Sequence, residues 1–174
     1  APQLNLELNQ MQWLDFICGQ ADRNPGNIFI QYGAQGGATG ITGIDQDLSF
    51  GEKVDAQFQG GFFRGMPAHI DGDTANKIKA LYKNDGVQFA EMLHSNGLTP
   101  QEVTQAKSRL KSAYDAILQW ETQPASATTQ GILPAQSAQW SQINTDGYSK
   151  HFAETAHTNK NNVNVAQLQV LLNT

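Results

Sequence analysis

Apolar residues recur at three- and four-residue steps near the start of the chain: Leu4, Leu8, Met11, Leu14 and Cys18, with Trp13 and Ile17 widening the stripe. That period predicts a helix with a broad buried face, ended by Gly19. Residues 20–27 carry turn chemistry and read as a loop. Two short β-rich runs follow, Ile28 to Tyr32 and Ile41 to Ile44, joined by a glycine-rich hairpin connection over 33–40. From Asp45 to Pro67 the chain is irregular, the composition of a substrate-facing loop. Helical spacing then returns. Asp71 or Asp73 caps a helix with Ala75, Ile78 and Leu81 inward, and Val87, Ala90 and Leu93 make a second that stops at Asn96-Gly97. Thr99-Pro100-Gln101-Glu102 is a capping box with proline at the first helical position. It opens a helix whose stripe is Val103, Ala106, Leu110, Ala113, Ile117 and Trp120. Residues 122–138 read as a linker or ordered loop. After a polar stretch, Val165, Leu168, Leu171 and Leu172 predict a last helix.

This order predicts an α+β fold that is mostly helical. Residues 1–122 form its core (loop 20–27, hairpin end 41–51, helices 71–122), and 123–174 form a linker and helical extension of the same domain. A chain of 174 residues buries a core without staples. No apolar run approaches the ~18 residues of a membrane-spanning helix, and no signal peptide is visible at the N-terminus. The net charge of −5 offers no basic surface to replace counterions, which argues against nucleic acid as a partner and disfavours a membrane-surface role. Cys18 is the only cysteine, so no internal disulfide forms; it reads as a packing residue. His69, His94, His151 and His157 share no metal-ligand spacing, which argues against zinc.

The informative stretch is Asp22-Arg23-Asn24-Pro25-Gly26-Asn27, then the hairpin, then Ile44-Asp45-Gln46-Asp47-Leu48-Ser49-Phe50-Gly51. Phosphoryl transfer from ATP needs magnesium held against the phosphates and a carboxylate that orients the attacking hydroxyl. Magnesium takes oxygen ligands, so Asp and Asn suit the task. An aspartate followed five positions later by an asparagine serves both needs from one turn, and a second aspartate at the far end of a hairpin completes the metal site. Asp22, Asn27 and Asp45 have that spacing. Asp47, two residues on, is an auxiliary ligand or a solvated turn residue.

Asp-Arg-x-x-Gly-Asn followed by Ile-Asp-x-x-x-x-Phe-Gly resembles the phosphatidylinositol-kinase-like branch of the protein-kinase superfamily. The fuller stretch Leu14 to Asn27 is most similar to bacterial effector-type kinases; the resemblance covers roughly residues 11–51. It implies Asp22 as the catalytic aspartate, Asn27 as a magnesium ligand and Asp45 as the main one, with Mg²⁺ and ATP as cofactors. It also implies a protein or lipid hydroxyl as acceptor, and a secreted effector with a virulence role in host cytoplasm. The chain departs from ordinary protein kinases at Ala21, which precedes Asp22, and at Gln46, which follows Asp45. No glycine-rich turn and bracing lysine precede Asp22. The expectation is therefore a C-terminal lobe, a fragment inactive alone, whose small N-terminal lobe belongs to a longer parent chain.

Other readings remain open. Asp45-x-Asp47 after an apolar strand fits an aspartyl-nucleophile phosphatase, which requires further strand–helix alternation. The missing small lobe fits a non-catalytic pseudokinase or binding module. A phosphoinositide acceptor calls for basic residues after Asp45, but Glu52, Lys53, Asp55 and Arg64 nearly cancel, so a protein hydroxyl is preferred. Arg23 is expected to pair with a nearby carboxylate, Trp13, Trp120, Trp140 and Tyr148 to pack, and Asp71-Gly72-Asp73 to cap a helix, since it lacks the rest of a calcium loop.

Overall fold

The computed structural model describes residues 2–20, 23, 25–45, 49–51 and 65–143. The expected C-terminal helix around Val165 to Leu172 and Tyr148 lie outside these residues. Within them the fold is α+β, with four α-helices and two two-stranded sheets. None of the helices is long and apolar enough to cross a membrane.

Helix α1 spans Pro2–Cys18. Gly19, at φ 63°, takes the left-handed conformation that ends it, and Gln20 N–H closes onto Asp15 O. A hairpin follows, with β1 (Ile28–Tyr32) antiparallel to β2 (Ala38–Gly43) and Ile30 opposite Ile41. Strand β2 begins earlier than its apolar run, because Ala38 and Gly40 already pair with Tyr32 and Gln31 of β1, with Thr39 at an irregularity between them. Strand β3 (His69–Asp71) leads directly into α2 (Gly72–Leu81), whose N-cap is Asp71: its Oδ2 accepts from Thr74 N–H at 3.0 Å. The capping reading of Asp71 therefore holds. A short turn then leads to α3 (Val87–Ser95), ended by Asn96 and left-handed Gly97. Thr99 and Glu102 exchange both capping-box hydrogen bonds at the start of α4 (Pro100–Trp120).

The main core gathers Ile78 of α2, Phe89 and Leu93 of α3, and Ala106, Leu110, Ala113, Ile117 and Trp120 of α4 around Trp13, Ile17 and Ile70. The stripe expected for α4 is buried except for half-buried Val103. The shorter helices depart from expectation: Leu81 and Val87 are exposed, and Phe89 is buried where Ala90 is not. A three-turn helix buries too little of its circumference for its period to identify the inward face.

Two features were not expected. Strand β4 (Gly131–Leu133) lies inside the stretch read as linker or loop and pairs in parallel with β3, His69 opposite Gly131. Leu133, Trp140 and Ile143 then pack against Leu6, so this segment folds back onto α1. Helix α1 is also not the simple amphipathic helix its period suggested. Leu14 is 54% exposed, whereas Asn5, Asn9, Gln12 and Asp15 are buried. The reason is that α1 is covered on two sides, by the hairpin through Leu8, Met11 and Ile28, and by β3 and the 138–142 turn. Its polar side chains meet backbone there. Asn5 donates to Trp140 O at 2.9 Å, and Asn9 and the Trp13 indole both donate to His69 O. A buried carbonyl needs such a donor, so Asn5, Asn9 and Trp13 pin distant segments to α1, while Asn9 Oδ1 and both polar atoms of the Gln12 side chain are buried without a hydrogen-bond partner among the described residues.

Candidate functional site

The candidate site lies where the end of α1, the loop around Arg23 and the hairpin base meet. Arg23 organises it. Its guanidinium is fully buried. One edge faces Asp15 of α1, with Nε donating to Oδ2 at 3.0 Å and Nη2 to Oδ1 at 2.9 Å. At the other end Nη1 donates to the carbonyls of Asn27 and Ile44, each at 2.9 Å. Removing two charges from water is costly, and the pair is tolerated because the planar fork of donors finds a carboxylate and two carbonyls in its own geometry. The expectation that Arg23 pairs with a carboxylate is met by Asp15.

The carbonyl of Asn27 accepts a second bond, from Ile44 N–H at 2.9 Å. This adds one rung to the ladder beyond Ile28 and Gly43, and sets Asn27 across from the residue that precedes Asp45. Asp45 then leaves the strand at φ 56°, a left-handed conformation uncommon outside glycine but tolerated by aspartate. Its carbonyl accepts from the buried Gln20 side chain at 3.0 Å. Five positions later Phe50 N–H donates to Cys18 O at 2.7 Å, also at positive φ. The segment from Asp45 to Phe50 is thus tied at both ends to the C-terminal end of α1. Arg109 of α4 braces that end too, donating from Nε to Ile17 O at 3.0 Å.

Of the expected site residues, the structure brings Asn27 and Asp45 to neighbouring positions, the first buried and the second exposed. Asp22 and Asp47 lie outside the described residues, as do Glu52, Lys53, Asp55 and Arg64 of the following loop. Among the described residues no three His, Cys, Asp or Glu side chains gather as a metal cluster. The donor chemistry of Asn27 and Asp45 nevertheless suits a hard cation, since both offer side-chain oxygen. The carbonyls of Asn27, Ile44 and Asp45 already accept from Arg23 and Gln20, and Asp15 balances the charge of Arg23.

Compared with protein-family models, curated proteins and solved structures, the chain matches none. The site is therefore read from its own chemistry.

Three contributors escaped the sequence reading: Asp15, Gln20 and Gly43. Asp15 and Gln20 stand within the stretch that carried the resemblance, but nothing in their spacing reveals that one meets Arg23 and the other the Asp45 carbonyl. Gly43 had a readable signal, as a glycine inside a strand marks close approach by another group. Phe29 on β1, opposite Thr42 and two residues after Asn27, is 58% exposed.

Cys18 is partly buried, and its thiol is pushed up to about 11, by burial first and then by Asp15, against the opposing pull of Arg109 and Arg23. It is a neutral thiol at physiological pH, not a nucleophile. Because the folded value lies above the reference of 9.0, this thiol leaves stability unchanged below pH 9.0 and withdraws it between there and about 11. Alkylation of the native protein by iodoacetamide should accordingly stay slow at roughly pH 8 and accelerate only in strong alkali. A native rate at that pH equal to that of the urea-unfolded chain would contradict this.

Proposed function

We propose that this chain supplies the metal-binding half of a magnesium-dependent ATP phosphotransferase of kinase type. The observation that supports the reading is the carbonyl of Asn27, shared by Arg23 Nη1 and the Ile44 N–H, which ties the loop to the hairpin base and pairs Asn27 with the residue before Asp45. Asn27 and Asp45 hold the cation through side-chain oxygen, with Asp47 as an auxiliary ligand. Asp22 orients the acceptor hydroxyl and takes its proton. Bound there, Mg²⁺ would offset the negative charge of the ATP phosphates. The left-handed backbone at Asp45 supports the reading, because sparsely populated conformations cluster at functional sites.

The reading is of a half-site, completed by a small lobe that carries the remaining phosphate contacts. The chain by itself should then bind nucleotide weakly. The acceptor is a protein hydroxyl in preference to a phosphoinositide, since the loop after Asp45 has no excess of basic residues: Asp47, Glu52 and Asp55 outnumber Lys53 and Arg64.

Asp45→Ala tests the reading. The residue is exposed, so the fold should survive, while uptake of Mn²⁺ (a magnetic stand-in for Mg²⁺) and MgATP-dependent phosphoryl transfer by the parent protein should both be lost. Retained transfer activity in this variant, or a wild-type protein that takes up neither Mn²⁺ nor MgATP, ends the proposal. A phosphoryl group found covalently on Asp45 would instead assign a hydrolase.

A further inference from the structure

We propose that Arg23 and Gly43 form one positioning device for the metal site: the guanidinium sets the spacing between the two ligand-bearing segments, and the glycine leaves the room it occupies. This rests on the function proposed above and concerns how its geometry is held.

Nη1 of Arg23 carries two protons, and the structure uses both. One goes to the carbonyl of Asn27, a ligand residue; the other goes to the carbonyl of Ile44, the residue before the second ligand. A single nitrogen therefore gauges the gap between the two segments. Asp15 fixes the opposite edge to α1, so the gauge is anchored to a helix and does not follow the loop. Full burial removes water as a competitor for these bonds. Lysine cannot substitute, because a single ammonium cannot reproduce a planar fork that meets a carboxylate on one edge and two carbonyls at its end.

Gly43 completes the device. Strand interiors disfavour glycine, which gives up backbone entropy and packs nothing. Its φ is not in the left-handed region, so the backbone there does not require glycine. Space does. A Cβ at this position would lie 2.8 Å from Nη1 and 2.9 Å from both Cζ and Nη2 of Arg23. The rigid atoms of a guanidinium bonded on two sides would be displaced, and the Asn27 and Ile44 carbonyls with them.

The test is Gly43→Ala in the intact protein, with Mn²⁺ affinity measured by electron paramagnetic resonance and hydrogen exchange followed at the Ile44 amide, which bonds to Asn27 O. The helical core should persist, seen as an unchanged far-ultraviolet spectrum, with a thermal midpoint lowered by the displaced guanidinium. Protection of the Ile44 amide should fall, and Mn²⁺ affinity should drop roughly 10–100-fold, the range for groups that orient metal ligands. Should Gly43→Ala fail to fold, Arg23→Lys carries the test, since it keeps the charge facing Asp15 and removes the fork. Unchanged Ile44 protection, or lost protection with unchanged affinity, overturns the positioning role. If wild-type protein takes up no Mn²⁺, the proposed function falls first. Normal uptake in wild type, loss in Asp45→Ala and no change in Gly43→Ala would sink the positioning device alone.

Discussion

Arg23→Met should lower the unfolding free energy by about 3–5 kcal/mol, the cost of leaving one member of a buried ion pair uncompensated. The side chain is fully buried, and its loss strips the Asp15 carboxylate of its cation and the Asn27 and Ile44 carbonyls of a shared donor. Water cannot reach the vacated place without opening the joint between α1 and the hairpin. Equilibrium unfolding in urea measures the effect as a lower midpoint at constant slope. The double variant Asp15→Leu/Arg23→Met should recover much of the loss, because apolar groups of similar volume replace a buried ion pair at little cost. That recovery separates an unpaired charge from a mere loss of packing. A single-variant loss below about 1 kcal/mol, the range of exposed pairs, would contradict the burial argument.

Trp13→Ala should cost about 3–5 kcal/mol, as expected for removing a large aromatic side chain from a packed core. Trp13 is 1% exposed and touches three parts of the fold. Its ring stands edge-on to Phe16 and Trp120, with centroids 6.2 and 6.1 Å apart, and its indole N–H donates to His69 O at 2.8 Å. Truncation thus empties the junction of α1, α4 and β3. Trp13→Phe should be much milder, since it restores most of the volume and His69 O keeps its bond from Asn9. The two variants unfolded in urea should therefore differ clearly. Equal losses would assign the effect to the hydrogen bond and not to packing. Against a net domain stability of roughly 5–15 kcal/mol, either large loss is a serious fraction of the whole.

The elements legible in the sequence are those whose determinants are local. The Thr99–Glu102 box, the stripe of α4, the Asp71 cap, the stop at Asn96-Gly97 and the β1–β2 hairpin each depend on residues a few positions apart. Strands β3 and β4 were missed because three residues are too few to display a period of two, and because each finds its partner only in parallel register across the helical bundle. The polar face of α1 was unreadable for a related reason: Asn5 and Asn9 are buried against the carbonyls of Trp140 and His69, groups that every residue type possesses. Leu14 looked inward because it falls on the helical period, yet about half of it stays exposed. In the candidate site, the adjacency of Asn27 and Asp45 was foreshadowed by their places at the two ends of a hairpin. The agent that holds them was half legible: Arg23 was expected to find a carboxylate, but that its far end would meet both segments depends on a backbone path no spacing reports.

The bond from Asn5 to Trp140 joins positions 135 apart in the chain, and this has a consequence for how the protein assembles. Helices α2, α3 and α4 are consecutive and joined by short turns, so they can associate after closing small loops. Helix α1 gains its second cover only when residues 131–143 return to it, a closure with a larger entropic cost and a slower search. The joint at Arg23 closes separations of only 8, 4 and 21 residues to Asp15, Asn27 and Ile44, so the candidate site can take shape on the hairpin side of α1 before that far segment returns to cover the other side.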